Sequence, residues 1–462
     1  MLFSSLEFLY LFLPAALLGY VLCPRRWKNG LLLAVSLVFY GLGGLSYLPL
    51  MLLTIAANYT FGLWLAAVRR KGGSPRIPLV AAVGSNLALL AFFKYYDLFA
   101  SAVGLSTLSL PLPIGISFYT FQAMSYVIDV YREDAHAQKN FVTFGTYVTL
   151  FPQLIAGPIV RYGEVEQELK ERRITREQVT AGISAFCVGL SKKVLLANPA
   201  GELAESILEG LGGNTALRAW LWLILYAFQI YYDFSGYSDM AVGLGRLFGF
   251  EFPQNFRYPY VSKSITEFWR RWHITLSTWF REYVYIPLGG NRRGRWRTYR
   301  NLLITWALTG LWHGAAWNFL GWGLYFFLLL AMEKAFLGKI LSRLPPFLCH
   351  LYALLGILIG WWIFSADGGG SEHLRLLGAL FGVGITGGSD GWIRYELLRN
   401  APMLLLMAVG ATPLPVTLWL RLTRRRPNVE GASRLLLCLG SLILCTAYLV
   451  DSGYNPFLYF RF

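Results

Sequence analysis

Residues 301–332 restrict the chain more than any other stretch: aromatic, aliphatic and glycine residues run on without one Lys, Arg, Asp or Glu, and His313 is the only ionisable imidazole among them. A segment of that composition is driven out of water. Eight further apolar runs repeat the pattern, at residues 6–21, 31–42, 47–68, 78–100, 217–250, 351–364, 404–420 and 435–450. A bilayer core about 30 Å thick is crossed by about 20 apolar residues in a helix. The expected fold is therefore all-α and polytopic, one membrane domain over residues 1–462. Composition agrees, with 56% hydrophobic, 16% aromatic and only 14% charged residues.

The chain carries 41 Lys and Arg against 25 Asp and Glu, a formal net charge of +16. On a soluble protein this excess suggests nucleic acid. Here the basic clusters (Arg25, Arg26 and Lys28; Arg69 to Lys71; Arg172 and Arg173; Lys192 and Lys193; 292–300; 421–426) all flank apolar runs. That is the pattern of cytoplasmic loops, so membrane lipid is the expected partner and nucleic acid is not. Placing every cluster in the cytoplasm predicts 11 to 12 crossings, about one per 20-residue run, with both termini outside. Residues 141–160 are expected to be re-entrant, because Pro152 and Gly157-Pro158 break a helix where only protein or a watery cavity can satisfy the backbone. The five cysteines have no metal-ligand spacing and are expected to be packing residues, with no metal site. Glu7 and the lack of a basic start make residues 1–23 a retained span rather than a cleaved leader. No repeat of fixed period suggests an inverted-repeat transporter.

Between the apolar runs lies an informative connection. Ser264-Ile265-Thr266-Glu267 is a capping box. The helix it opens puts Ile265, Phe268, Trp269, Trp272, Leu276, Trp279, Phe280 and Tyr283 on one face, an interfacial pattern, with His273 on the flank. Residues 301–332 as one helix would measure about 48 Å, too long for one span, so a break is expected near 318–323. His313 then lies roughly 18 Å along from Asn301, near mid-membrane. An ionisable group there reads by default as functional. The competing reading is a histidine that packs helices together. Small neighbours, Gly310, Gly314 and Ala315, suggest room for a substrate chain beside the backbone. In the 217–250 run, six-residue spacing sets Asp233 and Asp239 on different faces, which favours a structural polar network over a paired acid and base. His136, His350 and His373, at loops or span ends, are expected to be solvated.

The runs Tyr231-Tyr232-Asp233-Phe234-Ser235-Gly236-Tyr237-Ser238-Asp239-Met240, Pro259-Tyr260-Val261-Ser262-Lys263-Ser264-Ile265-Thr266-Glu267-Phe268-Trp269-Arg270-Arg271-Trp272-His273, Leu311-Trp312-His313-Gly314-Ala315 and the closing Asn455-Pro456-Phe457-Leu458-Tyr459-Phe460-Arg461-Phe462 resemble the membrane-bound O-acyltransferase family. The resemblance covers nearly the whole chain. It implies spanning, re-entrant and interfacial helices around a central tunnel, with an acyl donor taken up from the cytoplasm. It also implies that His313 is the family's near-invariant histidine and a catalytic base, and that His273 is the second histidine, on the donor side. Trp312, Asn318, Asp233, Ser238, Asp239, Trp269 and Asn255 are the further candidates for donor contact or tunnel lining. The sequence departs from many relatives at Ser365, where Arg is common, and near Tyr325, where His is common. The implied activity is O-acetyl transfer from acetyl coenzyme A, with no bound cofactor, across a bacterial cytoplasmic membrane. The receiver would be an SGNH-hydrolase-like partner or a glycan hydroxyl. D-alanyl transfer from a carrier protein to teichoic acid, and polysaccharide export without chemistry, are the alternatives.

Overall fold

The computed structural model describes residues 1–209, 215–366, 370–384 and 391–458; of residues 209 and 370–373 it gives the backbone alone. The His373 side chain and the end of the aromatic closing motif, 459–462, lie outside the described residues. Every regular element among them is helical. The chain forms two compact units, Met1–Gly189 with Tyr237–Gln254, and Leu190–Gly236 with Asn255–Phe462.

The first unit holds α1 (Leu13–Leu22), α2 (Lys28–Gly41), α3 (Leu48–Arg70), α4 (Arg76–Ala102), α5 (Ile116–Arg132), α6 (Phe141–Thr149), α7 (Phe151–Leu154), α8 (Tyr162–Lys170) and most of α9 (Arg176–Ser191). Proline in its first turn starts α3, and Arg69 and Arg70 in its last turn suit the negative end of the helix dipole. α3 and α4 are joined by the buried amides of Asn58 and Asn86, which bond reciprocally at 3.1 and 2.7 Å. An aromatic cluster lies within the core of this unit, with Phe3 stacked on Tyr237 at 4.5 Å and in contact with Phe8 and Phe39.

The expected interruption within 141–160 is present. Helix α6 stops at Thr149, α7 has four residues, and no helix resumes until Tyr162. The freed backbone groups find side chains: Phe151 N donates to Ser36 Oγ at 3.1 Å, and Gln153 Nε2 donates to the Tyr147 carbonyl at 2.6 Å. Gly115 opens α5 at φ 72°, and a Cβ there would come within 2.6 Å of the Leu154 carbonyl oxygen, so this crossing needs glycine.

The second unit holds α10 (Asn198–Glu209), the first part of α11 (Ala216–Leu247), α12 (Ile265–Trp269), α13 (Ile274–Phe280), α14 (Arg295–His313), α15 (Trp317–Met332), α16 (Gly338–Leu341) and α17 (Pro346–Ser365). α18 (Gly370–Leu380), α19 (Gly391–Arg399), α20 (Ala401–Gly410), α21 (Leu414–Thr423) and α22 (Pro427–Asp451) complete it.

Three expectations need correction. The capping-box helix does not run unbroken to Tyr283: it stops at Trp269 and restarts at Ile274, because His273 takes a left-handed conformation, φ 43° and ψ 55°. The capping box itself forms, with Glu267 N on Ser264 Oγ at 3.0 Å, but Glu267 reaches back to Lys263 N rather than to Ser264 N. The break in 301–332 falls at 314–316, immediately after His313, and not at 318–323. Finally, Lys193 is not a solvated member of a loop cluster. It is buried in a π-helical turn (Lys192–Ala197) and pairs with Asp233 at 2.7 Å.

Among the described residues, five helical stretches are long and apolar enough to cross a membrane, Leu45–Arg70, Arg76–Ala102, Arg176–Leu208, Pro346–Ser365 and Pro427–Asp451. The pair Ala401–Gly410 and Leu414–Thr423, bent by 73°, makes six if it is one span. The protein is thus all-α and polytopic, with fewer long apolar helices than the 11 to 12 crossings read from the basic clusters, a count resting on about 20 residues per crossing. The difference has local causes. Phe8–Leu22 and α2 are short, α14 and α15 divide one long run, and the 404–420 run is bent at Pro413. Arg176–Leu208 was absent from the expected spans because Lys192 and Lys193 interrupt its sequence.

Candidate active site

The second unit places His313 and His273 beside one indole. His313 is the last residue of α14, and its buried ring is met edge-on by Trp312 at 4.9 Å, Trp322 at 4.9 Å and Phe364 at 5.3 Å. Trp312 lies 6.1 Å from the His273 ring, so this one side chain touches both imidazoles. Edge-on contacts of this kind are the favoured geometry between aromatic rings and fix orientation as well as burying area.

The local sequence explains the cage around His313. Gly310 and Gly323 let α14 and α15 approach backbone to backbone: a Cβ on Gly310 would overlap the Phe319 carbonyl, and one on Gly323 the Trp306 carbonyl. A Cβ on Gly314 would overlap the Phe319 ring. The small residues beside His313 therefore serve the α14 and α15 packing, and the space expected for a substrate chain at Gly310 and Gly314 is filled by Phe319. Asn318 Nδ2 donates to the Phe364 carbonyl at 3.0 Å, tying the start of α15 to the end of α17, which supplies one ring of the cage. Trp269 continues the wall, 5.5 Å from Trp322 and 4.6 Å from Trp306.

His273 is seated differently. It is 1% exposed, with Phe234 edge-on at 4.7 Å and Phe256 at 6.3 Å. Its Nδ1 lies 3.1 Å from Asn255 Oδ1. It stands outside the long apolar helices, and burial pushes its imidazole down to about 3 from an ordinary 6.5, so the ring is neutral across the physiological range.

The remaining candidates divide. Asp233 is on α11 next to Phe234, and its carboxylate is engaged by Lys193 and by the amide of Leu458 at 2.8 Å. Lys193 also donates to Asn198 Oδ1 at 2.8 Å and to the Pro456 carbonyl. The chain after α22 is thus fastened to a buried ion pair. Ser238 and Asp239 belong to the other compact unit.

Sequence reading passed over two features. On α14, Asn301, Thr305, Thr309 and His313 recur every fourth residue and are all buried, a polar stripe ending on the histidine. Both threonine hydroxyls donate to the carbonyl four residues back, at 2.8 Å, and Asn301 Nδ2 donates to the Gly290 carbonyl at 2.9 Å. The i, i+4 spacing was legible. Glu333 is the second: it accepts from Ile265 N at 2.6 Å, Thr266 N at 2.9 Å and Tyr352 OH at 3.1 Å, capping α12 from far along the chain. Nothing local in the sequence signals that pairing. His350 likewise is not simply solvated, since its Nδ1 lies 3.0 Å from the Ser262 carbonyl. No three His, Cys, Asp or Glu side chains gather among the described residues.

The model of the membrane-bound O-acyltransferase family matches residues 133–368, a region that contains both histidines and their surroundings. The chain is 38% identical to the "Probable alginate O-acetylase AlgI" of Pseudomonas putida over 100% of both proteins. It is 32% identical to the "Peptidoglycan O-acetyltransferase" of Helicobacter pylori, over 100% of this chain and 98% of the relative. To the "Teichoic acid D-alanyltransferase" of Bacillus subtilis it is 27% identical over 48% of this chain and 59% of that protein. With the matched family region enclosing the two-histidine site and relatives aligned end to end, the chain belongs to the membrane-bound O-acyltransferase family and is an O-acyltransferase.

Proposed function

We propose that the protein takes acetyl coenzyme A from the cytoplasm and passes its acetyl group to an extracytoplasmic hydroxyl, either on a cell-envelope glycan or on an SGNH-hydrolase-like partner that delivers it there. The observation that carries this reading is the shared indole of Trp312, which brings two buried imidazoles onto one wall. In the reaction, His313 accepts the acceptor's hydroxyl proton as the oxygen attacks the thioester carbonyl. The C–O bond forms, the C–S bond breaks, and the departing thiolate takes a proton back from the imidazolium. A positioned base of this kind contributes about 10²- to 10⁴-fold to rate.

His273 acts on the donor side, with Trp312 and Trp269 as apolar wall. The stripe Asn301, Thr305 and Thr309 offers polar footing along the approach from the basic stretch 292–300 at the start of α14, whose arginines attract the donor's phosphates. In this reading Asn318 and Asp233 support the site without touching the donor, and both termini face outside the bacterial cytoplasmic membrane. The names of the two full-length relatives favour a glycan acceptor and acetyl as the group moved. The D-alanyltransferase relative keeps D-alanyl transfer as the second reading to try, with the carrier-protein donor that the family resemblance implies.

The test is reconstitution of the purified protein in liposomes with radiolabelled acetyl coenzyme A and, separately, a D-alanyl carrier protein. Label leaving coenzyme A for an acceptor is the expected result. Transfer from the carrier protein alone would overturn the donor assignment.

A further inference from the structure

We infer that Asn255 is a positioning residue that locks His273 in one tautomer, with the proton on Nδ1 and the lone pair on Nε2. The backbone prepares the seat. Arg257 N donates to the Arg271 carbonyl and Ile274 N to the Asn255 carbonyl, each at 2.9 Å, so the two segments run side by side through the left-handed turn at His273. The side chain of Asn255, 2% exposed, then faces the ring and the start of α13 together.

Its orientation follows from chemistry. Asn255 Oδ1 lies 3.2 Å from Thr275 N and 2.9 Å from Thr275 Oγ1. A backbone N–H only donates, so the amide atom that meets it is the oxygen; a flipped amide would set two donors against each other. The same oxygen is 3.1 Å from His273 Nδ1. A nitrogen facing an acceptor at that distance must carry the hydrogen. Because the buried ring is neutral, that is its only proton, and Nε2 is left as the acceptor.

The consequence sharpens the donor-side role, on which the activity arm of the test rests. His273 accepts a hydrogen bond at Nε2. It does not polarise a thioester carbonyl by donating one. Its matching contacts are the N–H and O–H groups of a thioester's amide-bearing arm or of the acceptor hydroxyl. Among the groups facing it are Phe234 from α11, Phe256 from the 255–258 segment and Trp312 from α14, all uncharged.

The chain has five histidines, so the full-length protein, labelled with ¹⁵N-histidine in nanodiscs, gives a small set of resonances in which His273→Gln identifies the signal. The expected wild-type spectrum shows His273 protonated at Nδ1; protonation at Nε2 overturns the inference. Asn255 Nδ2 has no hydrogen-bond partner among the described residues, so Asn255→Asp keeps the acceptor and removes no contact. That variant should retain the tautomer. Its carboxylate favours the imidazolium, raising the His273 pKa, so the acid limb of turnover moves to higher pH. Asn255→Ala should lose the single tautomer and about 10- to 100-fold in kcat, the range seen when the partner that orients a metal-bound histidine is removed. A spectrum of Asn255→Ala identical to wild type contradicts the assignment, and so does an Asn255→Asp pH profile that does not move while His273→Gln impairs turnover. Full turnover by His273→Gln overturns the donor-side role instead, and the spectrum still decides the tautomer.

Discussion

The two histidines are held by opposite means. His273 sits in a left-handed turn between two short helices, seated by the Asn255 amide that also caps α13. His313 ends a 19-residue helix, with the rings of Trp312, Trp322 and Phe364 edge-on to it and glycine-mediated backbone contact behind. A hydrogen bond fixes where a proton resides; an aromatic cage fixes where a ring points. The contrast suits a division of labour in which one imidazole keeps a set proton and the other exchanges one during each turnover.

Several substitutions put that contrast under strain. His313→Ala should lower acetyl transfer by about 10²- to 10⁴-fold with the fold intact, the range for a positioned base. A loss below tenfold in a steady-state assay would reduce His313 to a packing residue. The buried pair Lys193 and Asp233 provides the stability counterpart. Lys193→Met leaves a carboxylate buried without its cation and should cost about 3–5 kcal/mol, read as lower yield and thermal stability, while Lys193→Met with Asp233→Asn recovers much of it. Equal damage in the single and double variants would argue that packing, not charge, matters there.

Gly310→Ala forces α15 away from α14 and should cost about 1–3 kcal/mol from overpacking, with transfer falling because the His313 cage opens. Unchanged activity would show that the cage tolerates slack. The smallest expected effect is on pH. The folded pKa of His273 is depressed below its unfolded value, so the unfolded chain takes a proton that the folded chain refuses as pH falls below about 6.5. Stability should decline from there toward pH 3, by about 2 kcal/mol at pH 5 from this group. Thermal unfolding of wild type and His273→Gln at pH 7.5 and 5 would expose it, since the variant lacks this part of the acid sensitivity.

How much of this was legible in the chain depends on range. Apolar run length marked α3, α4, α17 and α22, and Pro152 with Gly157-Pro158 marked the interrupted segment, because each is a local signal. The isolation of His313 in an uncharged window singled it out, and motif resemblance added His273. What escaped was nonlocal. The break at His273 depends on Asn255, eighteen positions earlier, and the α12 cap on Glu333, 68 positions later than Ile265. Lys193 read as a loop charge because its partner Asp233 lies on another helix. The glycines near His313 read as space, since only the folded hairpin shows that Phe319 occupies it.

Acyl transfer at His313, with the donor held from the His273 side, is open to direct measurement. Single-turnover transfer from radiolabelled acetyl coenzyme A, measured with donor affinity in the same preparation of His313→Gln, tests it most directly. Donor binding should stay within a few-fold of wild type and transfer should slow by about 10²-fold or more. Transfer at the wild-type rate, or a loss explained wholly by failed donor binding, would contradict it.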